Sequence, residues 1–170
     1  MRRPRSWLFM TLALSMSSVA CGEEPRLDNV YDNGITLTIN VKSFDAKAHV
    51  IKKCADTVCL IDGKPASGED GKIPQYEVTS LIFEKNGKQV TLDVSSMYDP
   101  WVENFNIKQH VTVLPLGKDS YQVSGYFGDG ESKYVCQWLV MLDGSIRTHI
   151  GGITVLYELT TKVREDFKLK

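Results

Sequence analysis

The feature that most constrains this chain is a two-residue hydrophobic alternation that recurs between short turn dipeptides. Ile35, Leu37, Ile39 and Val41 alternate with Thr36, Thr38, Asn40 and Lys42. At that period successive side chains point to opposite faces of a strand. β-Branched residues stand on both faces, as a pleated, half-buried surface favours. The pattern returns at Val90, Leu92 and Val94, at Ile107, Val111 and Val113, and at Tyr121, Val123, Gly125 and Phe127. In Lys133 to Leu142, the residues Tyr134, Cys136, Trp138, Val140 and Leu142 share one strand face.

The connections point the same way. Asp62-Gly63, Asp70-Gly71, Asn86-Gly87, Asp129-Gly130 and Asp143-Gly144 are five Asx-Gly dipeptides, and such pairs supply the positive φ angles of tight hairpin turns. Asn86-Gly87, between Tyr76 to Lys85 and Lys88 to Val94, is the clearest of them. The alternating acidic ligands and closing Glu of a calcium-binding EF-hand are absent around these pairs. Ile153, Leu156, Leu159, Val163 and Phe167 fit a helical stripe, although Thr154 to Thr160 also fits a strand; we expect a short helix there. The fold class expected is all-β or mainly β: one antiparallel β-sandwich or curled sheet, with one short C-terminal helix.

The N-terminus reads differently. Met1 to Arg5 is basic, Trp7 to Met16 is an apolar run too short for a permanent membrane anchor, and Ser18-Val19-Ala20 places small residues before Cys21. This is the pattern of an export signal over residues 1–20. Cys21 then sits where a lipoprotein is acylated, with simple cleavage after Ala20 as the alternative. Residues 21–33 are rich in Glu, Asp, Asn and Pro and read as a polar tether. Residues 34–170 form the single β-rich domain. Loss of Arg2, Arg3 and Arg5 would leave 17 basic against 21 acidic residues, a net charge of about −4. A mildly acidic surface of this kind offers no general electrostatic grip on nucleic acid.

An exported chain with four cysteines invites disulfides. Cys54 and Cys59 are the natural pair, with Ala55-Asp56-Thr57-Val58 forming a four-residue turn between them. Cys136 then reads as a buried free thiol, the sharper alternative being a nucleophile. A zinc site from Cys54, Cys59, Cys136 and a histidine has only a weak spacing behind it, and neither metal nor cofactor is expected.

His49, His110 and His149 lie tens of residues apart and read as solvated positions. Arg147 and His149 are expected to share an exposed face opposite Ile146 and Ile150, making a basic spot. Val123-Ser124-Gly125 lacks the glycine and the helix of a hydrolase nucleophile elbow. Two segments remain as contact candidates. Met97-Tyr98-Asp99-Pro100-Trp101 concentrates aromatics and a carboxylate after a strand, and Gly128-Asp129-Gly130-Glu131-Ser132 presents two carboxylates on a glycine-rich tip. Asp99, Trp101, Asp129, Glu131 and Arg147 are therefore the expected partner-binding residues.

Leu60-Ile61-Asp62-Gly63-Lys64-Pro65, Asp70-Gly71-Lys72-Ile73-Pro74, Asp93 to Trp101, Tyr126-Phe127-Gly128-Asp129-Gly130, Gln137-Trp138 and Ser145-Ile146-Arg147-Thr148 together resemble a group of small exported bacterial proteins. That group looks like immunity proteins against interbacterial toxins of the type VI secretion kind. The resemblance spans about Cys59 to Thr148, and Gln137 departs from the acidic residue expected before the tryptophan. It implies a periplasmic protein that binds and blocks a toxin without catalysis of its own. The alternative class is an envelope-associated lipoprotein module that binds a small ligand or another protein.

Overall fold

The computed structural model describes residues 26–31, 33–100, 107–152 and 154. The segment read as an export signal, Cys21, Trp101 and most of the expected C-terminal helix lie outside them. Strands β1 (Arg26–Val30) and β2 (Ile35–Ser43) are followed by a short hairpin unit of β3 (Ile51–Cys54), β4 (Thr57–Ile61) and β5 (Lys64–Pro65). Next come β6 (Tyr76–Lys85), β7 (Lys88–Leu92), a single helical turn α1 (Ile107–His110), β8 (Val111–Gly117), β9 (Ser120–Phe127), β10 (Tyr134–Met141) and β11 (Gly144–Gly152). The described chain is mainly β, as expected.

Two four-stranded antiparallel sheets, ordered β1-β2-β6-β7 and β11-β10-β9-β8, enclose one core, and β3-β4-β5 forms a third, smaller sheet. The alternation explains why. Ile35, Leu37 and Ile39 of β2 and Leu81 and Phe83 of β6 meet Tyr121, Val123 and Phe127 of β9 and Cys136, Trp138 and Val140 of β10 in a single buried cluster. Trp138 is fully buried, and its indole N–H donates to the carbonyl of Asp93 across the sandwich, 2.9 Å away. The flank where β7 meets β11 is closed by the Ser145 hydroxyl donating to the Thr91 carbonyl at 3.0 Å. On the opposite flank the Tyr31 hydroxyl donates to the Val111 carbonyl at 2.9 Å.

Four local expectations are corrected. The segment read as a tether contains β1, which pairs with β2 from Arg26↔Asn40 to Val30↔Thr36, so the sheet begins inside it. The alternation from Ile107 becomes a strand only at Val111, since Ile107–His110 is a helical turn. The turn before Cys59 spans two residues, with Cys54 opposite Thr57 and Ala55 at φ 54°. Of the five Asx-Gly pairs, Asp62-Gly63 and Asn86-Gly87 adopt positive φ at both residues; Asp129 instead caps a 3₁₀ turn over Gly130–Ser132, and Gly144 is the first residue of β11.

Candidate functional site

The segment following β7 crosses the molecule and organises its surface clefts. Val78 donates its N–H to the Met97 carbonyl at 3.1 Å, and Tyr98 donates to the Ser67 carbonyl at 2.9 Å. Asp99, at φ 40°, accepts both the Gln75 and Tyr76 N–H groups on Oδ1 at 2.8 Å and returns its own N–H to the Tyr76 carbonyl at 3.0 Å. The carboxylate thus substitutes for a missing strand partner at the start of β6. Gly68 allows the close approach on the other side. It has φ 97°, and a Cβ there would lie 2.0 Å from the Tyr98 carbonyl oxygen and 2.5 Å from the Tyr134 ring.

Beside this crossing lies a cleft of about 660 Å³. Asp70 and Lys72 come to it from the loop before β6, Asp99 and Pro100 from the crossing segment, His110 from the end of α1, and Asp129 and Ser132 from the turn before β10. Asp99 and Asp129, selected from sequence for different reasons, therefore line the same cleft. Asp129 accepts the Gly130 N–H at 2.7 Å, and Ser132 donates its hydroxyl to the Asp129 carbonyl at 2.6 Å, so the glycine-rich tip is internally bonded. Glu131 is exposed on that turn. His110 stacks edge-on against Tyr126, with centroids 4.6 Å apart, and burial holds its imidazole toward the neutral form.

Arg147 is not at this cleft and does not make an exposed basic spot. The regular hairpin register places Arg147 opposite the buried Trp138 and Ile146 opposite Leu139, so Arg147 turns inward and Ile146 outward, the reverse of the expected faces; their exposures are 14% for the Arg147 side chain and 59% for Ile146. A β-bulge between Gln137 and Trp138 then leaves Thr148 as the extra residue and returns Ile150 to the inner face opposite Cys136. The guanidinium donates to the Ser95 carbonyl and, at 3.1 Å, to the Ser95 hydroxyl, and pairs with Asp93 at 3.2 Å. Burial pushes the Asp93 carboxyl up, but hydrogen bonds from Ser95 and the Arg147 charge outweigh it and hold the group below its usual value.

The sequence did not reveal a second polar cluster. His49 Nδ1 lies 2.7 Å from Asp62 and its Nε2 lies 3.4 Å from Glu77, which in turn pairs with Lys42 at 2.7 Å. The ring stacks on Phe44 at 4.6 Å. His49 is thus a bridge between the small β3-β4-β5 sheet and β6, not a solvated residue. Its hydrogen bond, with another from the Val50 N–H, holds Asp62 below the usual carboxylate value. These residues border a smaller cavity of about 220 Å³ that reaches Ser95 and Tyr98. Only the Asp62-Gly63 turn hinted at this junction; the partners lie 13 and 28 residues from His49.

The expected Cys54–Cys59 disulfide is present and Cys136 is free and buried. Among the described residues, no cluster of His, Cys, Asp or Glu is arranged to hold a metal ion, and no helix is long and apolar enough to cross a membrane. No family model, curated protein or solved structure matches the chain.

Proposed function

We propose that this is a periplasmic inhibitory binding protein, an immunity protein that neutralises a toxin enzyme by occupying it without catalysis. The observation that carries the reading is the gathering of Asp70, Asp99 and Asp129 from three separate chain segments at one cleft. That cleft sits on a sheet scaffold whose turns are tied by their own side chains. An acidic, pre-shaped rim suits a basic partner: it steers encounter and costs little ordering on binding. Export through residues 1–20 and acylation at Cys21 would hold the domain at the membrane where a delivered toxin arrives.

The test begins with capture of the partner from a lysate of the source organism by the tagged chain, identified by mass spectrometry as a stoichiometric enzyme. Binding of that enzyme is then titrated against salt and against an Asp70→Lys, Asp129→Lys, Glu131→Lys variant. The expected outcome is a loss of about ten- to a hundredfold in affinity, mostly in association rate, with the difference shrinking as salt rises. Unchanged binding by the triple variant would remove the acidic rim from the reading.

The cleft volume favours one second reading, an envelope module for a small ligand, since about 660 Å³ falls in the ordinary range of ligand sites. A small molecule that raises the melting temperature in proportion to its concentration, in the absence of any protein partner, would select it.

A further inference from the structure

Among the described residues, the outer face of the β11-β10-β9-β8 sheet is depleted of charge. Its four strands, 32 residues in all, contain one Lys, Arg, Asp or Glu, and that residue, Arg147, is turned inward onto Ser95. None of the chain's 21 acidic residues falls within these four strands. The outer face of the opposite sheet, by contrast, carries Asp28, Lys42 and Glu84. Charge depletion with exposed aliphatic and aromatic groups is the compositional mark of an interface centre.

Register places the groups in rows. Leu114, Gln122, Leu139 and Ile146 stand opposite one another across all four strands, and Leu114 and Ile146 at the two ends are 55% and 59% exposed. The neighbouring row is Thr112, Ser124, Gln137 and His149, in which the Thr112 hydroxyl donates to the Ser124 carbonyl at 3.3 Å. Gln137 donates to the Ser124 hydroxyl at 3.2 Å and accepts from Thr148 at 3.2 Å. Met141 and Tyr126 extend the patch at 36% and 39% exposure.

We infer that this face self-associates, pairing two copies of the chain sheet to sheet about a two-fold axis. Three arguments select a second copy over other occupants. Two copies meeting here bring no Lys, Asp or Glu of these strands face to face, and the one Arg is turned inward, so like-charge repulsion is least at this contact. The face is self-complementary, because amides and hydroxyls each donate and accept while aliphatic row-ends meet aliphatic row-ends. Its size also fits. Four strands about 4.8 Å apart and about seven residues long give about 450 Å² of projected area per copy. Side-chain relief raises this toward the ~800 Å² per partner of a standard interface, at the weak end of the range.

Sedimentation equilibrium tests this on the full chain, produced with its N-terminal segment and with Cys21→Ser so that no acyl group attaches. The expected result is a reversible dimer with micromolar dissociation. Ile146→Lys and Leu114→Lys, each at an exposed position, should each weaken it at least about tenfold. Val30→Lys, equally exposed on β1, should leave it unchanged. A chain that stays monomeric to millimolar concentration, or a dimer indifferent to both face substitutions or equally sensitive to Val30→Lys, overturns the proposal. Monomers whose melting temperature falls on Ile146→Lys would assign the face to the chain's own residues 153–170 and overturn it as well. A face occupied only by the toxin partner would show as a monomer whose capture of that enzyme is lost with Ile146→Lys.

Discussion

Cys136 lies at 0% exposure beneath Trp138 and Tyr134, and burial pushes its thiol up to about 12. The thiolate is the reactive form, so the folded protein should leave Cys136 unmodified by iodoacetamide at neutral pH over hours, while the denatured chain reacts within minutes. Peptide mass spectrometry checks this, and rapid native labelling would revive the nucleophile reading. At His49 the relevant sign is the opposite. Asp62 is held below the ordinary aspartate value first by the His49 hydrogen bond. A group with a depressed folded pKa stabilises the protein above its ordinary value, and that contribution is lost as pH falls through the lowered one. Acid titrations of melting temperature for the native chain and Asp62→Asn should therefore differ at neutral pH and converge below the carboxylate range. Parallel curves at all pH values would show that the contact does not bear on stability.

At the level of elements, the small β3-β4-β5 sheet meets the sandwich through His49 to Glu77, the packing of Val58 and Ile61 on Tyr98, and the Ser67–Met97 bridge. The Cys54–Cys59 disulfide closes a loop within that sheet, with a separation of five residues. A loop this short restricts the unfolded chain little, and the paired substitution Cys54→Ser, Cys59→Ser should cost about 2 kcal/mol or less. Hydrogen exchange should show the loss confined to residues 51–65, with β2, β6, β9 and β10 retaining protection; global loss of protection would make the hairpin a cornerstone of the fold. Legibility at this scale followed the range of the interaction. The strands and the disulfide were readable because alternation and a five-residue spacing are local signals. Arg147 was misassigned because Ile146 and Ile150 were read as sharing the inner face, whereas a single bulge at Gln137/Trp138 puts them on opposite faces, and no residue pattern announces a bulge. β1 was missed because Arg-Leu-Asp-Asn-Val is polar by composition and gains its strand only from the edge that β2 offers. The shared cleft of Asp99 and Asp129 depends on how distant segments fold together, so sequence could select the two residues but not their proximity.

For the whole molecule, the seams between sheets are sealed by neutral, ionisable groups. Tyr31 spans one flank to Val111, Tyr98 holds the crossing segment, and Tyr134 donates to the Tyr98 carbonyl at 3.1 Å from a fully buried position. Burial raises Tyr31 and Tyr98 to about 12 and holds Tyr134 well above the ordinary phenol value, with Cys136 also at about 12. Each of these groups has a raised folded pKa, so its contribution is fully present below the ordinary value, 9.0 for the thiol and 10.0 for the phenols, and is lost as pH rises through the folded one. Because Tyr31, Tyr134 and Cys136 touch the main core and Tyr98 the adjoining cluster of Val58 and Ile61, their ionisation is linked to opening the sandwich. Stability should be flat through neutral pH, fall from about pH 9 and collapse cooperatively before pH 12, with tyrosinate absorbance rising in step with loss of circular dichroism. Tyr31→Phe tests the link at one flank: it removes one ionisable group and the Val111 hydrogen bond together. It should lower stability at neutral pH by about 1 kcal/mol yet flatten the alkaline slope. Tyrosines that titrate one by one with the fold intact would show instead that the seams open locally and that the sheets are held by the aliphatic core alone.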